Sequence, residues 1–106
     1  MPAATRTVEM PRVHFIGSYA GTTAAQKIYI GFKPALIVAY NITDGDKLYI
    51  WSKTSLTTVL TIDTEVANES VAITQVSDST GLGFQLPSDG SVNEDAKTYV
   101  FIAFPE

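Results

Sequence analysis

Residues 31–51 constrain this chain more than any other segment. Gly31-Phe32-Lys33-Pro34 opens it. Pro34 has no N–H and biases Lys33 away from the α region, so it belongs at a strand start or on an edge. Ala35 to Ile42 is apolar at nearly every position, the pattern of a strand covered on both faces. Asp44-Gly45, flanked by Thr43 and Asp46, is a type I′ hairpin signal, because both central residues of that turn take positive φ. Lys47 to Lys53 then returns, with Leu48, Ile50 and Ser52 on one face and Tyr49, Trp51 and Lys53 on the other. A Pro-started strand, a tight turn and a returning strand fix the architecture as β.

The remaining segments repeat that grammar. Val13, Phe15, Gly17 and Tyr19 alternate with His14, Ile16, Ser18 and Ala20. Lys27 to Phe32 reads as a short strand, and Leu56 to Ile62 as another, rich in Thr and β-branched residues. Asp63 to Glu69 is polar and reads as a loop. Val71 to Val76 alternates, as do Leu82, Phe84 and Leu86 around Gly83. Pro87 to Asp95 reads as a long, turn-rich loop, with a solvated turn over 89–95. Lys97 to Phe104 closes the chain as a strand with two apolar faces, either central in a sheet or shared with another subunit. Strands recur at intervals of about 8–12 residues, with no convincing helix. The expected fold is all-β: a compact antiparallel β-sandwich or jelly roll of about eight short strands. A small barrel is the alternative.

Residues 1–12 read as an extended N-terminal arm, and 13–106 as a single β-sandwich domain. The arm carries two prolines and no strand or helix period. It is either a frayed terminus or a segment that orders against a neighbouring subunit, where Val8 and Met10 would gain from an apolar surface.

A chain of 106 residues is one domain, and 45% hydrophobic residues supply a core for it. With no cysteine, disulfides and thiolate metal sites are excluded. The net charge of −4 and seven scattered basic residues argue against nucleic acid, whose phosphates need clustered Lys and Arg. No apolar run approaches a membrane span, and residues 1–11 lack the apolar core of a signal peptide. The expectation is a soluble, unprocessed chain.

The residues give no catalytic set. His14 is the one histidine, and its neighbours in sequence offer neither a nucleophile nor an orienting acid. Asp44-Gly45-Asp46 begins like a calcium loop, but Leu48 and Ile50 occupy the next alternate positions. The Asp89–Asp95 loop has more oxygens yet no EF-hand pattern. No cofactor and no metal are expected. Tyr40, Tyr49, Trp51 and Tyr99 would make a sugar-stacking platform if they shared an exposed face, although aromatics in small β proteins more often serve core or subunit contact. The candidate interface residues are therefore Val8, Met10, Tyr40, Tyr49, Trp51 and Tyr99.

One family resemblance runs from about Phe15 to Phe104. Gly31-Phe32-Lys33-Pro34, Leu36 to Val38, Asn41-Ile42-Thr43, Asp44-Gly45 and Trp51 come first. Gly83-Phe84-Gln85-Leu86, a loop with Asn93, and a last strand from Tyr99 to Ala103 follow in order. This succession resembles the small virion proteins of tailed bacteriophages, of the capsid decoration or cement type. Many members have a longer Trp-containing segment with further acidic residues, where this chain runs through Ser52-Lys53-Thr54. The resemblance implies a non-enzymatic structural protein on the outer capsid surface of a virion, assembled in the host cytoplasm, with the major capsid protein as its partner. A homo-oligomer, dimer or trimer, is the expected state. The alternative is a receptor- or carbohydrate-binding module of a tail fibre, which should expose Tyr49 and Trp51.

Overall fold

The computed structural model describes residues 14–45, 47–54, 58–62, 66–68, 72–89 and 92–106. The arm, with Val8 and Met10, lies outside them. Among the described residues nine strands follow in chain order: β1 (Phe15–Ala20), β2 (Gln26–Tyr29), β3 (Pro34–Asn41), β4 (Lys47–Ser52), β5 (Leu60–Ile62), β6 (Val66–Asn68), β7 (Thr74–Ser77), β8 (Leu82–Leu86) and β9 (Thr98–Pro105). All pairings are antiparallel. They form a six-stranded sheet of order β1-β9-β3-β4-β5-β6 and a three-stranded sheet of order β2-β8-β7. The fold is the expected all-β sandwich.

The last strand is central, between β1 and β3. That explains the apolar residues on both of its faces. The stretch expected as a loop at 63–69 contains β6, which extends the β3–β4–β5 meander by one strand. The β3–β4 connection also differs from a two-residue hairpin. Asn41 pairs with Lys47, so five residues intervene. Gly45 takes positive φ (73°) but Asp44 does not. Instead the Gly45 N–H donates to the Asn41 carbonyl, and the Asn41 side-chain oxygen accepts from the N–H groups of Thr43 and Asp44. The buried amide of Asn41 holds the loop that a type I′ turn was expected to form.

The core lies between the sheets. Strand alternation points Ile37 and Ala39 of β3, Tyr49 and Trp51 of β4, and Tyr99, Phe101 and Ala103 of β9 inward. Phe84 and Leu86 of β8 meet them from the smaller sheet, with Phe84 edge-on to Phe101 at 5.4 Å. Gly83 is a packing requirement there. A Cβ at this position would overlap the Ile28 carbonyl, so glycine lets β2 lie against β8.

Candidate functional site

Two groups of polar and aromatic side chains are built inside the fold, and one large apolar surface is built outside it. The first inner group is the tyrosine cluster. Tyr19 and Tyr99 stack at 4.9 Å with their rings 9° from parallel, as register neighbours on β1 and β9. The Tyr19 hydroxyl donates to the Val92 carbonyl at 2.7 Å and meets the Tyr49 hydroxyl at 2.6 Å. The Tyr99 hydroxyl accepts from the Glu94 N–H. Burial raises the Tyr19 and Tyr49 phenols well above the ordinary tyrosine range, and raises Tyr99 as well. These are neutral structural hydroxyls at any physiological pH.

The second inner group centres on Asn93, which is fully buried. Its side-chain oxygen accepts from the Thr22 N–H at 3.0 Å and from Gln26 Nε2 at 2.8 Å. Its amide nitrogen donates to the carbonyls of Ala24 and Pro87. One side chain thus ties the β1–β2 loop to the β8–β9 loop. The expectation of a solvated turn over 89–95 fails at this point, because Val92 and Asn93 are both buried. The signal available in the sequence was one apolar residue, Val92, inside a polar loop.

The outer group is the solvent side of the six-stranded sheet. The register sets Ile16, Ile102, Val38, Ile50 and Leu60 side by side across five strands. Ser18, Val100, Tyr40, Leu48 and Ile62 form a second row beside them. Phe104, Leu36 and Ser52 make a shorter third. Ile16 is 65% exposed, Phe104 40%, Val100 37% and Ile62 36%. None of the described residues in these rows is Asp, Glu, Lys or Arg. A shallow depression of about 270 Å³ lies among Ile16, Val38, Tyr40, Leu48, Val100 and Ile102. Ion pairs stand at the two ends of β9, Lys97 to Asp44 at 2.9 Å and Lys53 to Glu106. The all-apolar strand at 35–42 was expected to be covered on both faces, but among the described residues no second layer packs on its outer face, where Leu36, Val38 and Tyr40 are half-buried.

The candidate interface residues separate accordingly. Tyr49, Trp51 and Tyr99 are in the core at 1–3% exposure, and the four aromatics do not share an exposed face. That position leaves the three buried ones no surface to offer a partner. Tyr40 alone lies on the outer face, half-buried. Trp51 Nε1 has no hydrogen-bond partner among the described residues. His14 is exposed at the start of β1, beside Phe104 at 6.0 Å. Among the described residues no three His, Asp or Glu side chains come together in a way that could hold a metal. On the smaller sheet, Asp78 accepts from Lys27 Nζ and Tyr29 Oη, both at 3.0 Å.

No family model, no curated protein and no solved structure matches the chain.

Proposed function

We propose that this chain is a non-enzymatic structural module of a phage virion, a capsid decoration or cement protein that binds the outer shell and stabilises it. The observation that carries this reading is the disposition of its chemistry. Tyr19, Tyr49, Tyr99, Trp51, Asn41 and Asn93 are consumed inside the fold, while the larger sheet offers a broad outer face with no charged side chain among its described residues. Such a surface suits association over area, with a shell subunit or with another copy of the chain, rather than attack on a bound small molecule.

The residues of the family resemblance also serve this end. Asn41 and Asn93 each organise a loop, and Trp51, Tyr99 and Phe101 fill the core. A rigid sandwich of this kind suits a clamp that repeats over a shell, where many weak contacts add. Burial of Tyr49 and Trp51 counts against the glycan-binding fibre module, which needed them exposed.

The test is to mix the purified chain with expanded capsids that lack it, and to follow co-sedimentation and shell melting together. Saturable binding with a raised shell melting temperature supports the reading, since a ligand that prefers the intact shell stabilises it. Absence of binding overturns it. Removal of residues 1–12 is expected to weaken shell binding while the sandwich still folds, and unchanged affinity would refute a role for the arm.

A further inference from the structure

We infer that the outer face of the six-stranded sheet is where two copies of this chain pair, sheet against sheet about a twofold axis. The inference starts from the face itself and stands whether or not a capsid is the partner.

The face needs a cover of a particular shape. Its first two rows are five strands wide and its third is three, apolar except for Ser18 and Ser52. One extended segment spans the width of a single strand, so it would leave most of the rows in water. Another sheet covers all of them at once, at the ~10 Å spacing of stacked sheets. The cover must also be uncharged. A charged partner would find no Asp, Glu, Lys or Arg among the described residues of these rows to pair with. It would lose hydration without compensation.

A second copy supplies both properties. An isologous contact sets the same patch against itself, so an apolar face meets an apolar face of equal width. Ile16, the most exposed large apolar side chain among the described residues, stands beside the depression between Val38 and Val100, giving a knob and a hollow on one surface. The area suits a weak pairing. Five, five and three positions in the three rows, each about 4.8 Å by about 7 Å, give roughly 440 Å² per copy, hence about 900 Å² in total, the size of a weak, transient interface. The ion pairs at the two ends of β9 would form the polar rim.

The test is the mass of the full chain in solution, by sedimentation equilibrium across about 1–100 µM, where an interface of this modest size assembles. Val100→Lys and Ile16→Lys place a charge in the face at positions already open to water, so the sandwich should persist. Thr74→Lys, exposed on the smaller sheet, is the control. Circular dichroism checks each variant, and Ile16→Lys on the edge strand keeps the test alive if Val100→Lys fails to fold. The expected result is a wild-type dimer, a dimer in Thr74→Lys, and association weakened at least about tenfold in the folded face variants. A wild type that stays monomeric throughout overturns the inference. So does a dimer that the folded face variants keep, because the contact then lies elsewhere.

Discussion

Tyr19 and Tyr49 share a 2.6 Å hydrogen bond in the core, and its direction is set by a third group. The Tyr19 hydroxyl has one proton and donates it to the Val92 carbonyl at 2.7 Å. Tyr49 is therefore the donor in the pair, and Tyr19 relays the bond from β4 across β1 to the β8–β9 loop. The two hydroxyls have unequal roles, which mutation can read.

Tyr49→Phe removes one donor and leaves the Tyr19–Val92 bond intact. It should cost about 1 kcal/mol. Tyr19→Phe strands both the Val92 carbonyl and the Tyr49 hydroxyl in the core, and should cost roughly 2–4 kcal/mol. Urea unfolding of the two variants measures the difference. Equal losses would mean that the relay does not run through Tyr19.

The same pair governs stability in alkali. Burial holds both phenols protonated in the folded chain, far above the ordinary range. The unfolded chain ionises them near pH 10. Above that pH the unfolded state binds fewer protons than the folded one, so stability falls as pH rises. Each tyrosine should contribute about 1.4 kcal/mol of loss per pH unit beyond about pH 10. Below pH 10 their contribution is fully present. Absorbance at the phenolate band, followed with unfolding, should show Tyr19 and Tyr49 ionising only as the fold is lost. Reversible ionisation of all five tyrosines in folded protein near pH 10 would contradict this.

Asn93→Ala deletes four hydrogen bonds at once and leaves the Ala24 and Pro87 carbonyls without this partner. The expected cost is roughly 3–5 kcal/mol. Asn93→Asp keeps the acceptor but loses both donations and buries a charge, so it should be no milder. Limited proteolysis should cut the 22–25 and 87–95 loops faster in either variant. A melting temperature unchanged from wild type would show that the loops hold without this side chain.

Much of this architecture was legible in the residues, and the failures share a cause. The alternation in β4 gave Tyr49 and Trp51 one face and Leu48 and Ile50 the other, since side-chain direction in a strand follows from position alone. Which face meets the core is a tertiary fact. All-apolar β3 reads as covered on both sides, but three strands of the second sheet cover only one side of a sheet of six. Tyr40 therefore went outward while Tyr99, on the neighbouring strand, went in. Asn93 was hidden for a similar reason. Its loop is polar locally, and only the approach of the 22–26 segment, about seventy residues earlier, buries it. In the β3–β4 loop the competition was local: Asn41 offered the backbone a side-chain acceptor, and a five-residue loop replaced the two-residue turn.

Asp78 gives the smaller sheet an acid-sensitive contact. Its carboxylate accepts from Lys27 Nζ and Tyr29 Oη through one oxygen, and from the N–H groups of Thr80 and Gly81 through the other. The Lys27 hydrogen bond leads in holding its pKa down, to about 2 against an ordinary 3.8. A depressed carboxylate stabilises the fold when charged. That contribution is present above pH 3.8 and disappears as pH falls through about 2. The site is open to solvent, so the effect at neutral pH should be small and should shrink with added salt. Asp78→Asn should lower the melting temperature slightly at pH 7 and converge with wild type by pH 2, where the wild-type carboxyl is itself becoming neutral. Thermal scans of both proteins from pH 7 to pH 2 read the convergence directly, and parallel curves over that range would remove Asp78 from the acid response.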